Sequence, residues 1–268
     1  MIPALQGDAT IIPIGRDTHD FSQPEKLEEV FASLRADWVV NCAAYTDVDT
    51  AEHNEALAHR VNCESALAIA QGVKRSGGRM IQLSTDYIFN GRGDHPYRED
   101  DPPDPICAYG RTKLAGETAV RSVLPEAIVL RTAWVYSKSK NNFVAAILER
   151  AMVNEEICVV DDEVGAPTWS VDVANAIKLL IGKNASGTFH FTNSGQTSRL
   201  DFAQAIISAA RHARLDLKVK NVLPGNGESI RRPANRPKYT VLDTGKISSV
   251  LRCNPPHWKT SLETMLRS

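Results

Sequence analysis

The stretch RMIQLSTDY, at residues 79–87, joins a short apolar run to a cluster of hydroxyl and carboxyl side chains. An apolar run of this length, preceded by Gly77-Gly78 and followed by polar residues, predicts a buried β-strand. Similar runs occur on both sides of it, at TIIPI (10–14), WVVNC (38–42), AIVLRTAWVY (127–136) and GTFHFTN (187–193). Amphipathic helical stretches separate these runs. We therefore predict an α/β fold, a doubly wound, Rossmann-like parallel sheet with helices on both faces.

The second half of the chain follows a looser pattern. After about residue 138, helices and short strands are joined by longer loops, one of them rich in proline and arginine. The 268 residues also approach the length at which one hydrophobic core divides into two. We therefore predict a dinucleotide-binding domain from residues 1–139 and 166–194, and a smaller substrate lobe from residues 140–165 and 195–268.

The composition excludes several classes of function. The formal charge is −1 and the pI is near 6.7, so no basic field is present to bind nucleic acid or an anionic membrane. No continuous apolar stretch reaches about 20 residues, the length of a membrane span. The five cysteines are widely spaced and form no C-x-x-C pair, which argues against disulfides and against a zinc site. We predict a cytoplasmic protein with no protein-held metal, whose partner is a small molecule.

Three polar groups are predicted to lie on one rim of the sheet. Tyr109 and Lys113 are four apart at the start of a predicted helix, so their side chains share one face. Thr85 follows a strand, at the edge where open parallel sheets bind ligands. A tyrosine hydroxyl is a weak acid, and a nearby ammonium lowers its pKa toward working pH. We expect Tyr109 to donate a proton to a carbonyl oxygen held by Thr85, and Lys113 to contact a nicotinamide ribose.

The Y-x-x-x-K spacing alone is weak evidence, because tyrosine and lysine occur four apart on exposed helix faces by chance. The chain, however, also resembles the extended short-chain dehydrogenase/reductases and, among them, the dTDP-4-dehydrorhamnose reductases. The resemblance extends in order over nearly the whole chain. The matching blocks are VVNCAAYTDVDTAE (39–52), STDYIFNG (84–91), DHPYRED (94–100), PICAYGRTKLAGE (105–117), LRTAWVYS (130–137), NNF (141–143), DDEVGAPTW (161–169) and NRPKYTVLDTGKI (235–247).

The resemblance implies an oxidoreductase that converts the C4 keto group of dTDP-4-dehydro-6-deoxy-L-mannose into the hydroxyl of dTDP-L-rhamnose, for rhamnose-containing polysaccharides. Catalysis falls to the threonine, tyrosine and lysine already named. Thr85 and Asp86 are expected to contact the sugar. Trp134 is expected to pack against it, with a core position after the strand as the alternative. Arg236 is expected to pair with the substrate diphosphate, with a solvated loop as the alternative.

The resemblance also implies where a cofactor binds. The small side chains of Ala43-Ala44, with Tyr45, match the segment under the ribose and pyrophosphate, and Asp20-Phe21 match the loop that contacts adenine. Arg16 follows the strand that reads the adenosine ribose, where an arginine suits a 2′-phosphate; a solvated strand end is its alternative. NADPH is therefore expected, with NADH as the alternative. The family also associates Mg²⁺ with a subunit contact, so the resemblance allows that ion and a homodimer.

Two departures from the family pattern bear on function. Cys107 stands where the family commonly has an asparagine, which is expected to alter hydrogen bonding near the catalytic tyrosine. The family's first strand and glycine-rich turn have no counterpart, because MIPALQGDA (1–9) matches the end of the helix that follows them. That turn holds the pyrophosphate on backbone N–H groups. We expect weak NADPH binding and marginal folding of this chain, testable by NADPH fluorescence titration against a longer form.

Two other functions stay open at this point. The first is a non-catalytic binding subunit with the same fold, like the regulatory beta subunit of methionine adenosyltransferase. The incomplete start favours it, whereas the retention of all three catalytic residues favours an enzyme. The second is a reductase of another nucleotide-linked 4-keto sugar, because specificity lies in the smaller lobe.

Overall fold

The computed structural model describes residues 9–139, 141–225 and 232–268. Its strands are β1 (Trp38–Asn41), β2 (Arg79–Thr85), β3 (Ile128–Thr132), β4 (Val135–Tyr136), β5 (Glu156–Val160), β6 (Val164–Gly165), β7 (Thr168–Trp169), β8 (Gly187–His190), β9 (Thr197–Ser198) and β10 (Asn221–Gly225). Its helices are α1 (Leu27–Ser33), α2 (Val48–His53), α3 (Glu55–His59), α4 (Ser65–Ser76), α5 (Ala108–Val123), α6 (Phe143–Val153), α7 (Ser170–Gly182), α8 (Arg199–His212), α9 (Gly245–Leu251) and α10 (Trp258–Arg267). The same ranges contain 3₁₀ turns at Pro24–Lys26 and Asp86–Ile88, and a π-helical turn at Arg60–Glu64.

The central sheet consists, within the described residues, of four parallel strands in the order β1-β2-β3-β8. Its register places Thr85 directly beside Thr132, so β2 and β3 end at the same level. Because the strands are parallel, their carboxyl ends meet at one edge, where ligands of open α/β sheets bind. The predicted α/β fold with a parallel sheet is confirmed.

Residues 10–14 were expected to form a strand of this sheet, and that expectation is wrong. The segment makes no ladder with any described strand, and β1 pairs with β2 alone. Ile14 still packs partly against the core, whereas Ile12 is 56% exposed. An apolar segment without a hydrogen-bonded neighbouring strand does not form a strand, because its backbone N–H and C=O groups then stay hydrogen-bonded to water.

Apolar side chains are buried on both faces of the sheet. On one face, α1 and α4 contribute Leu27, Phe31 and Ile69. On the other face, Ile177 of α7 packs against Ile128 and its neighbours on the strands. Each fully buried side chain of this kind stabilises the fold by roughly 2 kcal/mol.

A third group of buried side chains lies among α6, α8 and α10 and is centred on Phe202. The ring centroid of Phe202 lies within 6.4 Å of those of Trp134, Tyr136, Phe143 and Trp258. This group includes residues from both predicted domains, so the domain boundaries stay a prediction. No helix in the described part of the chain is long and apolar enough to cross a membrane.

Candidate active site

The end of β2 and the start of α5 bring Thr85 and Tyr109 together. Thr85 is the last residue of β2; its hydroxyl donates to Asp86 Oδ1 at 3.0 Å and accepts from the Tyr87 N–H at 3.2 Å. The Thr85 hydroxyl also lies close to Tyr109, the second residue of α5, and acts to lower the pKa of its phenol. The threonine hydroxyl and the phenol therefore lie side by side at the rim of the sheet.

Lys113 lies one turn further along α5. Its side chain is buried, and Nζ donates to the Leu83 carbonyl oxygen at 2.7 Å. Burial lowers the pKa of Lys113 to about 8, against an opposing effect of Glu117. The amine is thus fixed to the backbone of β2 two residues before Thr85, and it is still mostly charged at neutral pH.

Burial, rather than Lys113, has the largest effect on the pKa of Tyr109. It raises the pKa of the phenol, and the neighbouring Thr85 hydroxyl offsets only part of that shift. The sequence argument expected Lys113 to lower this pKa, and the structure corrects it: Lys113 is bonded to Leu83, and the loss of water around the phenol is the larger effect. A raised pKa keeps Tyr109 protonated near neutral pH, which is the form that a proton donor needs.

Asp86 is a buried carboxyl beside this pair. Its side chain is 2% exposed, and burial raises its pKa to about 6, although contacts with Thr240 and Thr85 and the charge of Arg199 act in the opposite direction. Oδ1 accepts from Thr85, whereas Oδ2 has no hydrogen-bond partner. A buried acceptor without a donor is unfavourable, so the surroundings of this carboxyl favour its protonated form.

The N-terminus of α5 is held close to the 3₁₀ turn that follows β2. Cys107 is the N-cap, and its sulfur accepts from the Gly110 N–H at 3.4 Å. The Ala108 N–H donates to Glu52 Oε1 at 2.7 Å. A Cβ on Gly110 would lie 2.2 Å from the Tyr87 carbonyl oxygen, so only glycine permits this approach. The cysteine, expected to disturb hydrogen bonding here, instead caps the catalytic helix.

Asn62, which sequence reasoning missed, connects the predicted cofactor segment with α5. It lies in the π-helical turn Arg60–Glu64 and is buried. Its Oδ1 accepts from the Tyr45 N–H at 2.8 Å, while Nδ2 donates to the Tyr45 carbonyl oxygen at 3.3 Å and to Thr112 Oγ1 at 3.0 Å. A Cβ on Gly116 would lie 2.1 Å from the Asn62 carbonyl oxygen, so α5 and the π-turn are in direct backbone contact. One amide thus fixes two parts of the site relative to each other.

The segment Ala43-Ala44-Tyr45 leaves the end of β1 on the same rim. The Ala43 N–H donates to Asn41 Oδ1 at 3.0 Å, and Asn41 Nδ2 donates to Gln82 Oε1 at 2.8 Å. Tyr45 and Tyr109 pack against the same small group of buried alanines. The structure therefore brings this predicted cofactor segment next to the catalytic helix.

The residues predicted to contact adenosine occupy the loop before α1. Arg16 and Asp20 are exposed, and Asp20 accepts from the Ser22 N–H at 2.8 Å and the Ser22 hydroxyl at 2.7 Å. These bonds lower the pKa of Asp20. Phe21 packs into the core with Leu27, so its ring is not available for stacking on adenine. An adenine contact of Phe21 is then limited to its backbone.

Trp134 adopts a strained conformation two residues beyond β3. Its φ is +46°, a value rare outside glycine, and its side chain is half-buried. The Arg199 guanidinium lies 3.5 Å from the ring centroid, and a Cβ on Gly165 would lie 2.5 Å from the indole. Arg199 in turn donates to Glu163 at 3.2 Å. The indole is thus held by contacts from two elements and packs partly against the Phe202 core, while part of it stays exposed.

Arg236 has a partner that the sequence did not indicate. Its guanidinium donates to Asp49 Oδ1 at 2.9 Å and to Oδ2 at 2.7 Å, and the Ala234 N–H donates to the same carboxylate. The pair lowers the pKa of Asp49. A diphosphate at this guanidinium has to compete with a bidentate carboxylate, so pairing with Asp49 accounts for Arg236 without a ligand.

A metal site is not evident in the described ranges. No group of three or more histidine, cysteine, aspartate or glutamate side chains there lies close enough together to hold an ion. The magnesium that the resemblance allowed therefore has no ligand set among these residues.

Comparison with known proteins places the chain in a family. The family described as RmlD substrate binding domain matches residues 2–268. The chain belongs to this family. Among its relatives, a probable dTDP-4,6-dihydroxy-2-methyloxan-3-one 4-ketoreductase of Streptomyces antibioticus is 41% identical over 88% of this chain and 79% of that protein. A dTDP-4-dehydrorhamnose reductase of Burkholderia thailandensis is 35% identical over 96% of this chain and 90% of its own length.

A solved structure supports the same placement of this RmlD-family chain. The dTDP-4-dehydrorhamnose reductase of Bacillus anthracis, in complex with NADP, has a TM-score of 0.89 and 33% identity, covering 95% of this chain and 88% of that one. The resemblance to the extended short-chain reductases is thereby confirmed, and so is a nicotinamide cofactor for the family.

The site fits the nicotinamide end of such a cofactor. Lys113 is buried on the rim, the Ala43-Ala44 segment has little side-chain bulk, and the hydroxyls of Ser84 and Thr132 are buried without partners near the strand ends. These groups suit a nicotinamide and its ribose. For the pyrophosphate end, the sequence contains no G-x-x-G-x-x-G turn.

Proposed function

We propose that this protein reduces the C4 keto group of dTDP-4-dehydro-6-deoxy-L-mannose (dTDP-4-dehydrorhamnose) to give dTDP-L-rhamnose, with NADPH as reductant. The observation that carries the proposal is the position of Thr85 and Tyr109 side by side, next to the buried amine of Lys113. Family membership and the names of the relatives supply the substrate class. The product would serve rhamnose-containing polysaccharides.

The residues divide the work of the reduction. When bound, NADPH supplies a hydride for C4 of the sugar. Tyr109, kept neutral by burial, donates its proton to the oxygen that becomes the hydroxyl, and Thr85 holds that oxygen in line. Lys113 stays on the Leu83 carbonyl, where its remaining N–H groups reach toward the nicotinamide ribose. Trp134 covers one side of the sugar and excludes water from it.

The test is direct reduction of synthetic dTDP-4-dehydrorhamnose, followed by loss of NADPH absorbance and by NMR of the product. Tyr109→Phe removes the proton donor and leaves the ring, so kcat is expected to fall by about 10²–10⁴-fold while the melting temperature stays close to that of the wild type. A Tyr109→Phe variant that retains wild-type kcat would contradict the proposal.

A second substrate is favoured by one comparison. The Streptomyces antibioticus relative is named for a dihydroxy-methyloxanone that has a methylene where the rhamnose ring carries its C2 hydroxyl, and it is the more similar of the two relatives by identity. Measurement of kcat/KM for dTDP-4-dehydrorhamnose and for its 2-deoxy analogue separates the two functions. We expect the 2-hydroxy sugar to be preferred; a reversed preference would assign the second function.

NADPH is proposed over NADH because of Arg16. An exposed arginine in the loop before α1 can pair with a 2′-phosphate that NADH lacks. Arg16→Ala should therefore raise KM for NADPH and leave KM for NADH unchanged. Equal KM changes for both cofactors would remove Arg16 from this role.

Two further assignments belong to the same proposal. We place the protein in the cytoplasm, and we propose that it is a homodimer. A non-catalytic binding subunit is the competing assignment, and turnover of either sugar would exclude it. A requirement for Mg²⁺ would appear as loss of turnover on treatment with a chelator.

A further inference from the structure

Trp134 is held in a strained conformation at the rim where the strands of the sheet end. Thr132 lies beside Thr85 in the register of β2 and β3, so the chain leaves the sheet at the catalytic rim just before Trp134. The backbone of Trp134 has a φ of +46°, and its carbonyl oxygen accepts from the Thr168 N–H at 3.2 Å. A residue other than glycine keeps such a backbone only where its surroundings hold it there.

Two contacts fix the indole itself. The Arg199 guanidinium carbon lies over the ring, 3.5 Å from its centroid, which is close to van der Waals contact. At the edge of the ring, a Cβ on Gly165 would lie 2.5 Å from Cε2 and 2.8 Å from Nε1, so the indole lies directly against the backbone. The backbone of Gly165 therefore blocks movement at this edge, and the guanidinium covers one face of the ring.

Arg199 is fixed in turn by a buried carboxylate. Its Nε donates to Glu163 Oε2 at 3.2 Å, and its backbone N–H donates to the Glu163 carbonyl oxygen at 3.2 Å. The side chains of both residues are largely buried. The bond from Nε lies in the plane of the guanidinium, so the flat face of this group stays free to stack on the indole.

Helix stability does not account for an arginine at this position. Arg199 is the first residue of α8, where the helix dipole is positive and favours an acidic side chain. This end of the helix is already capped by Ser198, whose hydroxyl accepts from the Asp201 N–H at 3.0 Å. Since a cation here works against the dipole, the contacts of Arg199 with Glu163 and Trp134 are what stabilise it.

We propose that Arg199 is a positioning residue for the reduction: its guanidinium holds the Trp134 indole in the orientation in which the indole covers the sugar. The inference rests on the proposed function and adds to it a residue that acts through another side chain. Glu163 contributes one step further away, because it fixes Arg199.

This role predicts a particular change in the kinetics. Trp134 covers the sugar but takes no part in proton transfer, which belongs to Tyr109 and Thr85. A loosened indole therefore weakens binding of the sugar more than it slows the chemical step. Loss of the Arg199 guanidinium should accordingly raise KM for the sugar and leave kcat nearly unchanged.

The kinetic test combines Arg199→Met, which keeps the length and removes the charged planar group, with Trp134→Leu. Arg199→Met should raise KM for dTDP-4-dehydrorhamnose about tenfold. In the Trp134→Leu background the same substitution should have little further effect on KM, because the ring that Arg199 holds is gone. Arg199→Lys keeps a charge beside Glu163 but loses the planar group, so it should keep the melting temperature of the wild type and still raise KM.

Near-UV circular dichroism examines the indole without substrate. The difference between each protein and its Trp134→Leu counterpart isolates the signal of Trp134 among the four tryptophans. A fixed aromatic side chain gives a band that a mobile one loses, so the band should be present in the wild type and absent in Arg199→Met. Arg211→Met, the same substitution near the other end of α8, is the matched control and should change neither the band nor KM.

The outcomes separate this inference from the proposed function. An Arg199→Met variant that keeps the Trp134 band and the wild-type KM would overturn the inference alone. So would an equal rise in KM with and without Trp134, which would mean that Arg199 does not act through the indole. If Arg199→Met does not fold, Arg199→Lys is judged by the same two measurements. A wild type that reduces neither candidate sugar would overturn the proposed function, and the Trp134 band would then still decide whether Arg199 fixes the indole.

Discussion

Asp86 holds its charge where water is excluded, and its effect on stability depends on pH. Burial raises the pKa of Asp86 to about 6, above the value of about 4 in an unfolded chain. Above pH 6 the ionised carboxyl therefore opposes folding, and this penalty disappears as the pH falls from 6 to 4, because the native state binds the proton more tightly. Asp86→Asn should then increase the free energy of unfolding by on the order of 2 kcal/mol near pH 8 and have little effect near pH 4. Urea unfolding at several pH values measures this; a difference that is constant with pH would contradict it.

Lys113 should set the alkaline limit of activity. Burial lowers its pKa to about 8, so the ammonium loses its proton as the pH rises through that value. If the charged form holds the nicotinamide ribose, kcat/KM of the wild type should decline above about pH 8. Lys113→Met, which keeps the aliphatic chain, should lower kcat/KM by about 100-fold and flatten this limb. The same alkaline decline in the variant would assign it to another group.

Individual site residues differ in how visible they are in the sequence. Thr85, Tyr109 and Lys113 were predictable because a strand end and a helical spacing of four place them on one rim. Asn62 was not, because its role depends on which distant groups pack around it. For Asn62 a signal existed: a buried amide stands in the apolar part of a predicted helix, where a polar side chain requires a partner. The pKa of Tyr109 depends mainly on burial, which the pattern of neighbouring residues in the sequence does not indicate.

At the level of elements, α5 touches its neighbours through two glycines with different consequences. A Cβ on Gly110 would meet the Tyr87 carbonyl oxygen at 2.2 Å, and a Cβ on Gly116 would meet that of Asn62 at 2.1 Å. Either alanine substitution should destabilise the fold by about 1–3 kcal/mol, because backbone atoms have to move. Only Gly110→Ala displaces Tyr109 from Thr85 directly, so we expect it to reduce kcat at least tenfold more than Gly116→Ala does.

The comparison uses melting temperatures and kcat measured below both transitions. Similar melting temperatures with different kcat values would support a specific effect on the catalytic pair. Equal loss of kcat in the two variants would show that α5 moves as a rigid body and that the contact of Gly110 has no special role.

Strands that have a hydrogen-bonded neighbour were predicted better than the apolar segment that has none. The strands at 38–42 and 79–84 alternate with helices and pair as expected, within the usual shift of their ends, whereas the predicted run 127–136 divides into β3 and β4, which belong to different sheets. The apolar segment 10–14 fails because a strand depends on a neighbour that its own residues do not encode. The π-turn was also invisible, because the helical periodicity on both sides of it continues with only a small change of phase.

For the whole molecule, the predicted division into a dinucleotide-binding domain and a substrate lobe can be tested through the two cores. Phe202 is at the centre of one, and Ile69 is fully buried in the other. Phe202→Ala should destabilise by about 3–5 kcal/mol and Ile69→Ala by about 2–5 kcal/mol. If the lobes unfold separately, Phe202→Ala should split the urea transition in two, and NADPH should raise the midpoint of the later step alone.

Ile69→Ala is the matched variant, since it should lower the urea midpoint of the unfolding step whose midpoint NADPH raises. A single transition in both variants, with coincident fluorescence and circular dichroism, would instead make the molecule one cooperative unit. That outcome would fit the packing of Tyr136 and Trp169 into the Phe202 core across the predicted boundary.

The π-turn at Arg60–Glu64 contains one extra residue, and the position of Asn62 depends on it. Its bond from the Ser65 N–H to the Arg60 carbonyl oxygen encloses one residue more than a regular helical turn. Deletion of Val61 would restore the regular helical spacing and would move Asn62, which lies inside this turn, relative to both of its neighbours. Asn62 could then no longer reach Tyr45 and Thr112 together. A surface loop tolerates a one-residue insertion without effect. In this helix the extra residue allows the Asn62 amide to hold the cofactor segment against the catalytic helix.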